Sequence, residues 1–270
     1  MEHRYAGVAV PTYLDDIVAA HRASAREDNR PFDRLIEAAS RTAPPRAFAS
    51  ALVSEPEMSV IAEIKRRSPS RGDLAPGLVA EVLAKAYADG GATCLSVLTD
   101  RQFFAALPDD LPDARAAVDL PLLRKDFIVS AHDVCDARLM GADAVLLIVA
   151  ALDDDELATL HDLAAELGMD VLVEVHDEAE LDRALAVGAT LVGVNQRDLS
   201  TFEVDARRAL RMAAVIPEDV VKVAESGIAG PDDAARLHDA GYDAILVGES
   251  LVTHHDPAAA VRELRLASCS

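Results

Sequence analysis

Short apolar runs alternate with longer amphipathic stretches along most of the chain. The apolar runs are rich in β-branched residues and nearly continuous, which is typical of strands buried on both faces of a parallel sheet. Eight runs are predicted to be strands, at residues 60–64, 94–98, 120–123, 144–149, 171–175, 191–194, 220–224 and 244–247. The intervening stretches have the spacing of helices, for example at 76–89, 153–167, 177–187 and 231–240.

Glycines mark the points where predicted helices end and strands begin. A glycine readily adopts the left-handed conformation that stops a helix. Five glycines stand just before a predicted strand in this way: Gly91, Gly141, Gly168, Gly188 and Gly241. Eight strand–helix units without a long break in composition predict an α/β fold, a single-domain (β/α)8 TIM barrel, rather than an open doubly wound sheet. The sequence also lacks the GxGxxG and GxxxxGK[ST] motifs of nucleotide-binding sheets.

Extra helices are predicted ahead of the first strand. Segments 13–28, 32–40 and 46–54 have helical spacing. We therefore expect residues 1–57 to form an amino-terminal helical extension that covers one end of the barrel, and residues 58–270 to form the barrel. Both would belong to one structural domain, because 270 residues is an ordinary length for a single α/β barrel.

Composition narrows the range of partners. The chain has 26 Lys+Arg against 47 Asp+Glu, a formal net charge of −21, so we expect neither nucleic acid nor an anionic membrane surface as a partner. The longest apolar run, residues 144–152, is too short to span a bilayer, and no signal peptide is predicted. Cys94, Cys135 and Cys269 lack the spacing of a disulfide framework or a zinc site, which suits a cytoplasmic protein.

Polar side chains concentrate at the carboxyl ends of the predicted strands, where the active site of a parallel barrel lies. Side chains alternate between the two faces of a strand, so seven are predicted to point into the barrel at its carboxyl end, here called the mouth: Glu63, Lys65, Lys125, Phe127, Glu174, Asn195 and Arg197. The chain has only four lysines, and two of them, Lys65 and Lys125, stand at strand ends. A compact, transferable proton there suits general acid–base catalysis. A structural ion-pair network closing the barrel is the alternative.

Small residues follow the last two predicted strands, at 226–227 and 248–250. Backbone N–H groups can approach an anion closely at such positions, as in the phosphate sites of other barrels, although two ordinary turns would look the same. Arg66 and Arg67 are candidates to assist from the segment 65–72, which reads either as a lid or as a solvated basic loop.

No spacing typical of metal ligands connects the histidines. We interpret four of them as solvated side chains: His132, His176, His254 and His255. The sequence therefore predicts no metal site.

Eight motifs together resemble those of the indole-3-glycerol phosphate synthase family of tryptophan biosynthesis. In family order they lie at residues 61–70 (IAEIKRRSPS), 95–100 (LSVLTD), 123–129 (LRKDFIV), 141–148 (GADAVLLI), 173–176 (VEVH), 193–199 (GVNQRDL), 224–228 (AESGI) and 247–251 (VGESL). The first motif is highly specific, whereas the last two occur in many phosphate-binding barrels. The resemblance extends over nearly the whole chain from about residue 13.

The resemblance implies a carboxy-lyase that acts on a small anionic phosphorylated substrate without a metal or organic cofactor. The implied reaction is ring closure of 1-(2-carboxyphenylamino)-1-deoxyribulose 5-phosphate, with loss of carbon dioxide and water, to give indole-3-glycerol phosphate. Such an enzyme is expected in the cytoplasm, as a monomer or homodimer.

The resemblance also implies roles for residues at matching positions. Lys125 looks like the general acid at the ketone oxygen, Glu174 and Lys65 like the proton-transfer pair of the dehydration, and Glu63 and Asn195 like groups that orient and stabilise charge. The implied phosphate ligands are Lys65, Ser226, Gly227, Gly248 and the N–H of Glu249, and the implied anthranilate side is formed by Ser68, Phe127, Arg197 and Leu199. We expect neighbouring cations to lower the pKa of the donating lysine.

One departure from the family pattern and two rival functions bear on this interpretation. The family often has Phe-Phe-Gln-Gly where this chain has Phe103, Phe104, Ala105 and Ala106, which affects the loop after the second strand. Phosphoribosylanthranilate isomerase is similar in fold but uses a cysteine where this chain has Glu63. A non-catalytic barrel that binds a phosphorylated metabolite would show binding without turnover.

Overall fold

The computed structural model describes residues 12–266, so Cys269 and the start of the chain lie outside the described residues. The strands are β1 Ser59–Ile64, β2 Arg67–Ser68, β3 Gly72–Asp73, β4 Cys94–Leu98, β5 Leu122–Lys125, β6 Ala144–Ile148, β7 Asp170–Val175, β8 Leu191–Asn195, β9 Val221–Glu225 and β10 Ala244–Val247. Eight of them close an all-parallel barrel in the order β1-β10-β9-β8-β7-β6-β5-β4, and β2 and β3 form a short antiparallel hairpin. The predicted TIM barrel is confirmed.

Thirteen helices cover the described part of the chain. They are α1 Tyr13–Glu27, α2 Phe32–Ser40, α3 Phe48–Leu52, α4 Ala80–Asp89, α5 Arg101–Phe104, α6 Asp110–Ala117, α7 Ala131–Met140, α8 Asp154–Glu166, α9 Glu178–Ala186, α10 Arg208–Met212, α11 Pro231–Asp239, α12 Glu249–Val252 and α13 Pro257–Leu266. The five glycines predicted to precede strands all have positive φ, between 78° and 91°. Between residues 12 and 266, no helix is both long and apolar enough to cross a membrane.

The third predicted strand is displaced by two residues, since β5 runs from Leu122 to Lys125 rather than over 120–123. Pro121 lacks the N–H that a strand in the middle of a sheet must donate, and its carbonyl instead accepts from the N–H of Leu95. Lys125 is therefore the last residue of its strand, in register with Leu98 of β4.

Alternate residues of each strand belong to two different cores. In β1, Val60 and Ile64 pack in the layer between strands and helices, whereas Ile61 belongs to the cluster inside the barrel. The interior cluster also contains Leu123, Leu146 and other side chains of the remaining strands. This alternation carries the side chains at the strand ends into the mouth of the barrel.

The amino-terminal helices do not share one end of the barrel, so that expectation is wrong. Ile17 of α1 lines the mouth at the carboxyl ends of the strands. At the opposite end, the N–H of Ala49 in α3 donates to the Asp170 carboxylate at 2.9 Å, where β7 begins. The separation follows from the apolar residues of both helices, because the barrel interior is open at its two ends and each end needs cover.

Candidate active site

One cavity of about 410 Å³ lies at the carboxyl ends of the barrel strands. Its lining brings together thirteen site residues predicted from the sequence: Glu63, Lys65, Ser68, Lys125, Phe127, Glu174, Asn195, Arg197, Leu199, Ser226, Gly227, Gly248 and Glu249. These residues come from β1, β5, β7, β8, β9 and β10 or the loops that follow, as expected where parallel strands of a barrel end together.

Lys125 occupies the centre of this mouth between two buried carboxyl groups. Its Nζ donates to Glu174 Oε2 at 3.1 Å and lies 3.5 Å from Glu225 Oε2. Burial opposes the charge on Lys125, but the carboxylates of Glu174, Glu225 and Glu63 outweigh burial and raise the lysine pKa. The expected lowering of its pKa by neighbouring cations is thus wrong, because the nearest charged neighbours are acids.

Glu174 stays ionised despite complete burial. Burial alone would raise its pKa, but Lys125 and His176 lower it, as does a hydrogen bond from Asn195 Nδ2 to Glu174 Oε1 at 3.0 Å. The backbone N–H of Arg197 donates to Asn195 Oδ1 at 3.0 Å, which fixes the direction of the amide. Glu174 is therefore presented as a base of defined orientation.

Lys65 makes a different pair from the one that the family resemblance implies. Its Nζ lies 2.5 Å from Glu63 Oε1, while Glu174 is paired with Lys125. A side chain on Gly248 would overlap the Glu63 carboxylate and lie 3.1 Å from Lys65 Nζ. Lys65 is thus held beside the backbone that follows β10, at the predicted phosphate side of the mouth.

Glu225 is a buried carboxyl group of the mouth that our sequence reasoning did not single out. Burial raises its pKa to about 8, with Glu174 and Glu63 adding repulsion that Lys125 only partly offsets. Its Oε1 has no hydrogen-bond partner among the described residues. Alternation along β9 from Val223 would have placed Glu225 inside the barrel, so the signal was present in the sequence.

His176 is not a solvated histidine, contrary to the prediction. Its side chain is 13% exposed and lies between Glu174 and Glu180. No metal-ligand spacing marked this residue. Only its position two residues beyond Glu174, just past the end of β7, could have indicated that it lies beside Glu174.

The loops after β9 and β10 bring backbone close to the cavity. Ser226 and Gly227 have φ of 64° and 71°, and a Cβ on Gly227 would lie 2.5 Å from the Val204 side chain. Consecutive left-handed residues of this kind turn backbone N–H groups toward one side of a loop. Gly248 precedes α12 and lines the same side of the cavity.

Arg66 and Arg67 do not serve this side of the mouth, which corrects that expectation. Arg66 is buried against Asp110, 2.5 Å from its carboxylate, and Arg67 lies 2.6 Å from Asp73 within the β2–β3 hairpin. Arg71, at the tip of the hairpin, reaches Glu249 with a 2.8 Å ion pair. The segment that reads as a lid or a solvated basic loop thus contains a short hairpin, which bridges to the start of α12.

An aromatic wall forms the other side of the cavity. Phe127 lies between His21 of α1 and Phe104 of α5, with ring centroids 5.6 Å and 6.3 Å apart. At the departure from the family pattern, in the loop after β4, Ala105 follows α5 with a left-handed φ of 56°.

The charge at the mouth is mixed, with acidic and basic side chains in nearly equal numbers. Among the described residues, four cationic side chains and five carboxyl groups line the cavity: Lys65, Arg71, Lys125, Arg197, Glu63, Asp126, Glu174, Glu225 and Glu249. An anionic substrate must therefore be attracted by the positions of individual cationic side chains, because the cavity has no net positive charge.

A further cluster of His21, Asp100 and Asp126 behind Phe127 has the side-chain types of a metal site. His21 Nε2 lies 2.7 Å from Asp100 Oδ2. Every carboxylate oxygen of the cluster already accepts a hydrogen bond, and Arg124 adds a positive charge 2.9 Å from Asp126. The arrangement is that of an ion-paired contact holding α1 on the mouth.

The comparisons with known proteins agree with this geometry. Residues 14–264 match the family described as indole-3-glycerol phosphate synthase. An indole-3-glycerol phosphate synthase from a Nocardioides species is 53% identical over 257 residues, covering 93% of this chain and 97% of that protein. The enzyme of the same name from Mycolicibacterium smegmatis is 51% identical over 256 residues, covering 94% and 93%.

Solved structures with low sequence identity share the fold alone. 3-Hexulose-6-phosphate synthase from Salmonella typhimurium has a TM-score of 0.61 at 16% identity, over 78% of this chain and 99% of that chain. Thiamine phosphate pyrophosphorylase from Pyrococcus furiosus has a TM-score of 0.59 at 18% identity, over 79% and 96%. From the family match and the two relatives, the chain belongs to the indole-3-glycerol phosphate synthase family.

Proposed function

We propose that this chain closes the indole ring of 1-(2-carboxyphenylamino)-1-deoxyribulose 5-phosphate and releases carbon dioxide, water and indole-3-glycerol phosphate. The observation that carries the proposal is the ion pair of Lys125 and Glu174 at 3.1 Å, inside a cavity of about 410 Å³. A protonated amine and an ionised carboxylate side by side provide the acid and the base that this reaction needs.

Lys125 acts first, as general acid. The ring carbon that bears the carboxylate attacks the ketone carbon, and a proton from Lys125 Nζ converts the ketone oxygen to a hydroxyl group. The raised pKa of Lys125 keeps the amine protonated before the reaction, which is the form an acid requires. Loss of carbon dioxide then returns an electron pair to the ring.

Dehydration follows, with one proton added to the departing hydroxyl group and one removed from the ring system. Glu174 is the group suited to accept the proton, because Asn195 fixes its direction at 3.0 Å and its pKa is lowered. Lys125 regains a proton from solvent after ring closure, because the overall reaction of the carboxylate consumes one proton. Protonated Lys125, 3.1 Å from Glu174, is then suited to supply the other proton. Glu63 holds Lys65 at 2.5 Å, so we assign Lys65 to charge stabilisation near the phosphate rather than to a pair with Glu174.

The phosphate is placed beside the loops after β9 and β10. We assign Lys65, which follows β1, and the backbone of Ser226, Gly227, Gly248 and Glu249 to the phosphate, because they line the same cavity. Ser68, Phe127, Arg197 and Leu199 line the remainder of the cavity and are assigned to the anthranilate side. We further infer a cytoplasmic location, in keeping with the free thiols of Cys94 and Cys135.

The proposal is tested by giving the purified protein the carboxyphenylamino-deoxyribulose phosphate and recording fluorescence. The chain contains no Trp and four Tyr, so an indole product should be visible against a weak background. We expect an indole signal that grows with time and protein concentration. Binding of the substrate without this signal would contradict the proposal and favour a non-catalytic barrel.

A further inference from the structure

A largely buried histidine, with its side chain 13% exposed, lies directly behind the candidate base. His176 follows the last residue of β7, two positions beyond Glu174. Its Nδ1 lies 3.0 Å from Glu180 Oε2 of α9, and the same oxygen accepts the backbone N–H of His176 at 2.8 Å. Glu180 therefore fixes the orientation of the imidazole ring and holds a proton on Nδ1.

The other ring nitrogen points toward the mouth. His176 Nε2 is buried, has no hydrogen-bond partner among the described residues, and lies 3.8 Å from Glu174 Oε1. In a neutral ring with its proton on Nδ1, Nε2 would present a lone pair to a carboxylate. In the imidazolium form it presents an N–H instead, which is attractive.

The charged groups around His176 favour the imidazolium form. Burial opposes the charge, but the hydrogen bond to Glu180 and the carboxylates of Glu174 and Glu180 outweigh burial and raise the histidine pKa, with Arg208 of α10 acting weakly against them. A positive charge at 3.8 Å in turn contributes to the lowered pKa of Glu174.

We propose that His176 is a positioning residue that holds Glu174 in its ionised, proton-accepting form by placing a second positive charge at Oε1, opposite Lys125 at Oε2. Glu180 is its support, because it fixes the ring and stabilises the charge. The inference depends on the proposed role of Glu174 as the base. When Lys125 gives up its proton it loses its charge, and without a second cation the pKa of Glu174 would then rise.

The test compares the pH dependence of kcat/KM for indole formation in four proteins: the wild type, His176→Gln, Glu180→Gln and His161→Gln. Loss of a positive charge within 4–6 Å raises the pKa of a carboxylate by about 1 to 3 units. We therefore expect the acidic limb to move to higher pH by about 1 to 3 units in His176→Gln, and by less in Glu180→Gln. His161 is a matched control, since its side chain is 16% exposed but lies on α8 and does not line the cavity.

An acidic limb that stays in place in His176→Gln, or that moves equally in His161→Gln, overturns the inference. A second test measures the protonation state of His176 in the wild-type protein by nitrogen NMR and does not depend on the activity of a variant. The His176 signals are assigned as those that are missing from the spectrum of His176→Gln. We expect the ring to titrate above the usual histidine pKa of 6.5, and titration at or below 6.5 would also overturn the inference. Glu174→Gln distinguishes a failure of the proposed base from a failure of the proposed role of His176. Full activity in Glu174→Gln would refute Glu174 as the base itself.

Discussion

Buried carboxyl groups at the two ends of this barrel differ in their hydrogen bonding. At the amino end, Asp143 accepts from the N–H groups of Arg46 and Leu122, both at 2.8 Å, and from the guanidinium of Arg115. At the carboxyl end, Glu225 is as deeply buried, yet one of its oxygens has no hydrogen-bond partner among the described residues and its pKa rises to about 8.

The same eight strands thus carry a stabilising carboxylate at their amino ends and carboxyl groups suited to proton transfer at their carboxyl ends. Two backbone N–H groups and the Arg115 guanidinium give both oxygens of Asp143 hydrogen-bond partners. The aspartate therefore connects the segment before α3, α6 and the start of β5 at little cost. At the mouth, Glu63, Glu174 and Glu225 surround two lysines, and Glu225 Oε1 has no hydrogen-bond partner among the described residues. A buried carboxyl group without all of its hydrogen bonds lowers the stability of a protein core. At an active site the same group can accept or release a proton, which proton transfer requires.

Replacing the central cation is the most severe way to probe the mouth. We expect Lys125→Met to lower kcat for ring closure by about 10² to 10⁴-fold, the range for loss of a general acid, while substrate still binds through its phosphate. Lys85→Met is the matched control, since Lys85 lies exposed on α4, away from the mouth, and forms a 2.6 Å ion pair with the exposed Glu81. Steady-state assays and a binding titration measure both effects, and normal turnover in Lys125→Met would refute the acid.

A single methyl group at the phosphate side gives a smaller and more local effect. In Gly248→Ala the new Cβ meets the Glu63 carboxylate and Lys65 Nζ, so both side chains must move. We expect KM to rise by about tenfold, equivalent to about 1.4 kcal/mol, with little change in kcat. Gly77→Ala is the control because open space surrounds that position, and an unchanged KM in Gly248→Ala would remove Lys65 from the phosphate site.

The fold and the members of the site follow from sequence because both depend on short-range periodicity. Continuous apolar runs identify the strands, and alternation then turns Glu63, Lys125 and Glu174 inward without any knowledge of the rest of the chain. The two-residue error at β5 is also local, since it came from overlooking the missing N–H of Pro121.

Partners across the barrel could not be predicted in the same way. Whether Arg66 faces the mouth or Asp110, and whether Lys65 pairs with Glu63 or Glu174, depends on strands and helices far apart in sequence. The buried setting of His176 depends on Glu180 of the following helix. Sequence periodicity gives the face of an element, but not which neighbour that face meets. The division between extension and barrel at residue 57 stays a prediction.

The contrast between the two ends is tested most directly by matched carboxyl-to-amide substitutions, Asp143→Asn and Glu225→Gln, in urea unfolding at pH 6 and pH 8. Removing the charge of a well-paired buried carboxylate costs about 3 kcal/mol or more, so we expect Asp143→Asn to lose stability at both pH values. Folded Glu225 keeps its proton up to about pH 8 whereas the unfolded group releases it near 4.5, so wild-type stability falls as pH rises between these values.

Glutamine at position 225 removes that dependence, and Glu225→Gln should therefore gain stability relative to the wild type from pH 6 to pH 8. The account predicts that Glu225→Gln is at least as stable as the wild type at pH 8 while Asp143→Asn is clearly less stable. Equal losses of stability in the two variants would contradict the division between a stabilising end and a chemical end.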